Sequence, residues 1–132
     1  MAHEPTPSRR IVEAVSAWPG VTAAAGDRGE LAFKVGKKEL GHLHGDSVAH
    51  FGFSKSLWAD LMAAGRITYH PVFPGRAGPA ARRIRDAADV EDVIRLLRLN
   101  YDRIVAARQP GGEVEEQGER GEGRQEALLS AV

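Results

Sequence analysis

The residues with the greatest capacity for chemistry are histidines that lie close together in the middle of the chain. His42 and His44 are separated by one residue in the run Gly41-His-Leu-His44, and His50 follows shortly afterwards. Residues two apart on a β-strand point to the same face, with Cα atoms about 6.5 to 7 Å apart. If the chain turns back between His44 and His50, His50 comes within about 5 Å of His42. The sequence therefore predicts three imidazoles on one face of a hairpin.

Such a face suits two kinds of chemistry. Three neutral imidazoles can hold a transition metal ion. Alternatively, an imidazole can accept a proton from an acidic enol or phenol, because its unperturbed pKa of about 6.5 requires no prior activation. A structural interpretation stays open beside both, in which the rings donate to backbone carbonyls and pin the hairpin. We expect no bound cofactor, and a transition metal on His42, His44 and His50 remains the alternative.

Several other chemistries are excluded by composition. The chain has no cysteine, so disulfides, thiolate catalysis and Cys-ligated metal centres are ruled out. It contains no Walker loop, no dinucleotide-binding fingerprint, no Ser-His-Asp order and no paired-carboxylate motif. Histidine and carboxylate chemistry remain.

The hairpin that carries the histidines is predicted from the parity of its loop. A loop with an odd number of residues, Gly45-Asp46-Ser47, keeps the apolar side chains of both strands on one face. The predicted cross-strand pairs are His44 with Val48, His42 with His50, and Leu40 with Gly52. The opposite, buried face then holds Leu43, Ala49, Phe51 and Phe53.

Three polar side chains near this hairpin have less specific roles. Glu39 falls on the parity of Leu43, so we expect it at the sheet margin or in a surface ion pair with Arg83 or Arg85. Asp46 is expected to form the turn rather than bind a ligand. Trp58 is expected to pack, half-buried, on its helix.

The remaining elements follow from apolar periodicity and from capping residues. Ser8, Ser54 and Asp86 are predicted to cap three helices, the last running to about Ala107. Alternating runs predict strands at 21–25, 31–35, 66–70 and 80–85. Pro71 to Pro79, with three Pro and two Gly, is predicted to be a loop that could lie over a site.

These elements predict an α+β fold with an antiparallel sheet of about four to six strands and helices packed on one face. A ligand-sized concavity is expected on the histidine side. We divide the chain into a flexible N-terminus (1–8), one domain (9–107) and a disordered acidic tail (108–132), because the Gly- and Glu-rich tail has little to bury.

Charge and hydropathy restrict location and partners. The segment 109–132 holds six Glu and two Arg, which leaves 16 basic and 12 acidic residues upstream. This excess and the few aromatic residues do not suggest a dedicated nucleic-acid binder. Neither a signal peptide nor a membrane-spanning run is recognisable, so we expect a cytoplasmic protein without a membrane partner, and its oligomeric state is open.

The motif Glu39-Leu-Gly-His-Leu-His44 resembles the hairpin of the luciferase-domain family. His50-Phe51, a Ser-initiated helix ending at Gly65, His70, and the helix Asp89 to Arg98 before Tyr101 extend the resemblance to roughly 11–105. The resemblance implies that His70 joins the other three histidines. The strand Gly78-Pro-Ala-Ala-Arg-Arg-Ile-Arg85 departs from the aromatic and apolar strand that is usual in this family.

The family includes the fungal luciferases, which oxygenate their substrate without a cofactor, and short bacterial proteins of unknown role. The resemblance therefore implies small-molecule binding or cofactor-independent oxidation, with His42, His44, His50 and His70 as catalytic residues. A shared domain does not carry over the substrate. The order of elements is also similar to YjbR-like proteins, and the rival hypothesis is a non-catalytic interaction or nucleic-acid-binding module that uses the surface from Arg82 to Arg98.

Overall fold

A six-stranded antiparallel sheet with three helices forms the fold of the described residues, 4–108, in this computed structural model. The strand order is β1-β2-β3-β4-β6-β5. In chain order the elements are α1 (Pro7–Ser16), β1 (Val21–Ala25), β2 (Leu31–Val35), β3 (Lys38–His44), β4 (Val48–Gly52), α2 (Lys55–Ala63), β5 (Thr68–Tyr69), β6 (Pro79–Arg83) and α3 (Ala87–Ala107). The predicted α+β class, with a sheet of four to six antiparallel strands, is confirmed.

The β3–β4 hairpin has the predicted odd loop. His42 pairs with His50 and His44 pairs with Val48, so the three unpaired residues are Gly45-Asp46-Ser47. Gly45 has a φ of 62°, a left-handed conformation that glycine adopts without a steric penalty. The prediction from loop parity, that all three histidines lie on one face of the hairpin, is therefore confirmed.

One predicted pair, Leu40 with Gly52, is wrong, because β3 contains a β-bulge. Phe33 pairs with Gly41 and Lys34 pairs with Glu39, which leaves Leu40 as an extra residue on β3. An extra residue reverses the alternation beyond it. Leu40 is consequently buried in the core, and Glu39 lies on the histidine face.

The core fills the side of the sheet opposite to the histidines. Helix α1 packs on α3, and α3 packs on β3. The fully buried large side chains include Phe33, Phe51, Phe53, Ile11, Leu40, Leu43, Leu96 and Leu97. The sheet thus separates an apolar layer from a face that carries imidazoles.

The helix N-termini follow their capping residues in two of three cases. Ser54 and Asp86 cap α2 and α3 as predicted. Ser8 does not cap α1, because Pro7 occupies the first helical turn and Thr6, before it, accepts the hydrogen bond from the Arg9 amide. Proline is favoured at this first position, since it has no amide hydrogen to satisfy.

The ends of the chain are described only in part. Helix α1 begins within the segment 1–8 that was predicted to be flexible, and Arg108 is the C-cap of α3. Most of the predicted tail, 109–132, lies outside the described residues. Across residues 4–108, none of the helices is both long enough and apolar enough to cross a bilayer.

Candidate histidine site

His42, His44 and His50 form a contiguous group on one face of the β3–β4 hairpin. The ring centroids are 4.9 Å apart for His42 and His44, 5.3 Å for His42 and His50, and 4.5 Å for His44 and His50. The cross-strand pair His42 and His50 sets this proximity, because directly opposed side chains share a face. The structure therefore brings together the three residues that their spacing predicted.

His70 is the fourth member of the group. It follows the short strand β5, where Thr68 pairs with Ala81 of β6 and Ala81 pairs with His50 of β4. Alternation from Thr68 places His70 on the same face, and its ring centroid lies 4.2 Å from that of His50. We define the histidine face as the side chains of His42, His44, His50 and His70.

The histidine face is largely shielded from solvent. His42 is 3% exposed, His50 is 7% exposed and His70 is fully buried, whereas His44 is half-buried. Burial, reinforced by the neighbouring imidazoles, lowers the pKa of His50 to about 3. Burial also lowers the pKa of His44 and of His70, again with help from His42. These three rings are therefore neutral at neutral pH, as both metal binding and proton acceptance require.

Glu39 is a site residue that the sequence analysis placed wrongly. It was expected at the sheet margin or paired with Arg83 or Arg85, but its Oε2 lies 2.9 Å from Nδ1 of His42. Both side chains are buried. The bulge at Leu40 is the physical reason, because it moves Glu39 to the opposite face.

A signal for this bulge was present in the sequence. Leu40 and Leu43 are both apolar and three positions apart, whereas two residues on the same face of a regular strand are an even number apart. An odd spacing between two core residues requires an extra residue between them. Glu39 would then have been assigned to the face of His42.

Hydrogen bonds fix which nitrogen of two rings carries the proton. The Glu39 carboxylate can only accept, so Nδ1 of His42 donates and Nε2 keeps its lone pair. Nδ1 of His70 accepts from the amide of Val72 at 3.1 Å, so the neutral ring carries its hydrogen on Nε2. The face therefore offers one acceptor, on His42, and one donor, on His70.

Both of these nitrogens are buried and lack a hydrogen-bond partner in the protein, as does Nδ1 of His50. Buried polar atoms without a partner are uncommon in folded proteins. On folding, each of these nitrogens gives up its hydrogen bond to water and gains no protein hydrogen bond in its place, which costs free energy. Three such atoms on one face indicate a site that is complementary to a polar ligand or to an ion.

The loop 70–78 borders the histidine face, as predicted. The Phe73 ring lies 5.5 Å from that of His70, and the Phe73 amide donates to the His70 carbonyl. A cavity of about 430 Å³ is lined by residues of this loop and of its neighbours: Gly52, Lys55, Gly75, Arg76, Ala77, Gly78 and Pro79. None of the four imidazoles lines this cavity, so it does not supply the concavity that was expected beside the histidines.

Asp46 and Trp58, for which structural roles were expected, both make hydrogen bonds to the backbone. Asp46 accepts a hydrogen bond from the Ser8 amide at 2.9 Å, and its bonds with Ser8 lower the pKa of its carboxyl. This contact ties the hairpin loop to the N-terminus of α1. Trp58 is half-buried, as expected, and its Nε1 donates to the Pro79 carbonyl.

The basic surface of the rival hypothesis is largely ion-paired. Arg82 and Arg85 both bond Asp89, at 2.7 and 3.0 Å, and Arg98 bonds Asp102 at 2.8 Å. Carboxylates compete with phosphate for the same guanidinium donors. These contacts weaken the case for a phosphate-binding surface at this place.

The comparisons with known proteins agree with the family resemblance. No curated protein and no solved structure matches the chain. The family model of the luciferase domain matches residues 37–100. The matched region contains the hairpin, α2, β5, β6 and most of α3, and with them the whole histidine face and Glu39. The match covers 64 of the 132 residues and supports the assignment of this chain to the luciferase-domain family.

Proposed function

We propose that the protein binds a small molecule with an acidic hydroxyl group on the histidine face, and that it promotes the oxidation of that molecule without a cofactor. The observation that carries this proposal is the pair of buried, unpartnered nitrogens on His42 and His70. One is an acceptor and the other a donor.

The His42 ring is the proton acceptor in this proposal. Glu39 holds its Nδ1 hydrogen, so the lone pair of Nε2 faces the site. When Nε2 takes a proton, the adjacent carboxylate stabilises the imidazolium. The donor on Nε2 of His70 stabilises the oxygen anion that remains on the ligand.

His50 and His44 have supporting roles. His50 lies between the other rings, with centroid distances of 5.3 Å to His42 and 4.2 Å to His70, so it is placed to contact the ligand between acceptor and donor. Its low pKa, about 3, keeps it neutral and unable to compete for the proton. His44, half-buried, lies at the edge that faces solvent.

For an enol ligand, the oxidation step balances with dioxygen as the oxidant. The enol gives its hydroxyl proton to His42, and the resulting enolate carbon donates an electron pair to dioxygen. A carbon–oxygen bond forms, and the proton returns from His42 to the distal oxygen, which yields a hydroperoxide. No metal or organic cofactor is needed for this sequence of steps.

The first step can be tested with 4-nitrophenol, an acidic phenol whose ionised form is yellow. In a buffer below the pKa of the phenol, the wild-type protein should increase the phenolate absorbance until one site is filled. His42→Gln should abolish the increase, because glutamine has no ring nitrogen that accepts the proton. His70→Gln should weaken binding, and His3→Gln, outside the described residues, is the matched control. An equal phenolate yield with wild type and His42→Gln would refute the proposal.

A further inference from the structure

We infer that the histidine face also holds a divalent transition metal ion, coordinated by His42, His44 and His50 but not by His70. This inference goes beyond the proposed function, because it assigns a second kind of occupant to the face. It does not depend on an acidic ligand being bound there.

The three candidate ligand atoms lie near one another. One nitrogen from each of His42, His44 and His50 lies within 4.8 Å of the others. A tetrahedral zinc ion with Zn–N bonds of about 2.0 to 2.1 Å separates its ligand nitrogens by about 3.3 Å. Binding would therefore require the side chains to rotate towards the ion, from a starting point in which the register of β3 and β4 already holds His42 and His50 opposite each other.

The hydrogen-bonding pattern around His42 is typical of a metal ligand. Its Nδ1 donates to Glu39 and its Nε2 keeps a lone pair that no protein donor uses. A carboxylate that accepts from the far nitrogen of a ligating histidine orients the ring and raises its basicity. Nδ1 of His50, buried and unpartnered, is a second nitrogen that coordination would satisfy.

His70 is excluded from the coordination shell by its own hydrogen bond. The Val72 amide donates to Nδ1, so the neutral ring carries its hydrogen on Nε2. A nitrogen that carries hydrogen cannot coordinate. Three protein ligands leave the fourth position of a tetrahedral ion open, as in catalytic rather than structural zinc sites.

Metal and proton then compete for one lone pair. Nε2 of His42 is the proton acceptor of the proposed function and a ligand in this inference, and it cannot serve both at once. Zinc should therefore suppress phenolate formation from 4-nitrophenol in proportion to its occupancy. Zinc would thus inhibit proton transfer by occupying Nε2 of His42, the nitrogen that accepts the proton.

The direct test is titration of the full chain with cobalt and zinc. The protein is purified without a polyhistidine tag, treated with a chelator and dialysed. Cobalt should bind with one equivalent and give the strong visible absorption of four-coordinate Co²⁺, and zinc should displace it. Absence of a cobalt spectrum, or more than one equivalent of equal affinity, would overturn the inference.

Variants identify the ligands. Glu39→Gln should weaken cobalt binding by about 10- to 100-fold, the usual cost of losing an outer-shell partner. His44→Gln should weaken it more than that, and this half-buried side chain can change without unfolding the protein. His70→Gln and His3→Gln should retain the wild-type stoichiometry and affinity. Full binding by His44→Gln, or loss of binding in His3→Gln, would contradict the assignment.

The two proposals fail separately. The 4-nitrophenol experiment is run with a chelator present, so its outcome does not depend on metal. Phenolate formation without cobalt binding would refute only the metal site. Cobalt binding without phenolate formation would refute only the proposed function.

Discussion

The Glu39 carboxylate and the His42 ring form a buried pair, with 2.9 Å between Oε2 and Nδ1. The two residues are three apart on β3, and regular alternation would put them on opposite faces. The bulge at Leu40 brings them together. This bulge therefore creates the only carboxylate–histidine contact found among residues 4–108.

Glu39→Gln should remove the negative charge of this pair while keeping its hydrogen bond. Glutamine can still accept the Nδ1 hydrogen, so the free energy of unfolding should change by less than about 1 kcal/mol. A charged hydrogen bond is roughly twice as strong as a neutral one, so phenolate formation from 4-nitrophenol should weaken by about tenfold. Urea unfolding and the absorbance titration measure the two effects. Unchanged phenolate formation would show that the carboxylate does not act through His42.

The lowered pKa of the buried histidines predicts a stability that depends on pH. The unfolded chain takes up a proton at His50 near 6.5, whereas the folded protein does so only near 3, so the unfolded state binds more protons between these values. Stability is therefore full above pH 6.5 and is lost as the pH falls. For His50 the slope approaches about 1.4 kcal/mol per pH unit between these two values, and the lowered pKa of His44 and of His70 adds to it in the same direction.

Urea unfolding of the metal-free protein at a series of pH values measures this slope. The carboxyls with a lowered pKa, Asp46 and Asp89, affect stability only near and below their ordinary value of 3.8. The window from about pH 6.5 to about pH 4.5 thus isolates the histidines. His50→Gln should flatten the slope. If the free energy of unfolding of the wild-type protein were constant across this window, the buried histidines would not be neutral in the folded protein.

The two faces of the hairpin should respond oppositely to truncation. Phe51 is fully buried, so Phe51→Ala should lower the free energy of unfolding by about 3 to 5 kcal/mol. His44 is half-buried, so His44→Ala should cost less than about 1 kcal/mol. His44→Ala should nevertheless lose metal binding, which Phe51→Ala keeps at temperatures where it is folded. Similar stability losses for both variants would mean that the faces are not distinct.

Most of the fold could be predicted from local pattern. Alternation gave the strands at 21–25 and 31–35 with their observed ends, and Asp86 marked the start of α3. The parity of the loop after His44 placed all three imidazoles on one face, because a strand allows only two faces. His70 was placed by the family resemblance together with the alternation of the predicted strand 66–70, of which only Thr68–Tyr69 forms a strand.

The parts that were not predicted depend on contacts distant in sequence. Glu39 was misplaced because a bulge depends on how β3 pairs with β2, and the odd spacing of Leu40 and Leu43 is the one sign of it within β3 itself. The ion pairs of Arg82 and Arg85 depend on where α3 places Asp89. Likewise, the tautomer of His70 depends on the Val72 amide in the loop that follows it. Composition and spacing identify the reactive side chains but not their partners.

Gly41 should not tolerate a side chain. A Cβ there would lie 2.8 Å from Cδ2 of Leu97 and 2.9 Å from the His50 carbonyl oxygen, and a backbone atom cannot move aside cheaply. Gly41→Ala should therefore lower the free energy of unfolding by about 1 to 3 kcal/mol, the usual cost of overpacking. Gly26→Ala, which meets only the flexible Glu30 side chain, is the control. Equal stability of both variants in urea would show that α3 does not press on β3 at this point.

Asn100 should be essential to the stability of the bulged hairpin. The pairing of β3 with β4 extends only from His44 to His42, so the carbonyls of Leu40 and Gly52 lie beyond the ladder. The buried Nδ2 of Asn100 donates to both of them, each at 3.0 Å. One amide group thus satisfies two backbone acceptors, one on β3 and one on β4, that lie beyond the end of the ladder between these strands.

Asn100→Asp tests this role with almost no change of shape. A carboxylate has no hydrogen to donate, so both carbonyls would face an acceptor, and each buried group left unsatisfied costs about 1 to 3 kcal/mol. Asn100→Asp should therefore destabilise the protein by several kcal/mol and more than Asn100→Ala does, although alanine removes more volume. Hydrogen exchange should show faster opening of β3 near Leu40 in both variants. If Asn100→Ala were the less stable of the two, packing rather than hydrogen bonding to the bulge would explain why α3 carries an asparagine in the core.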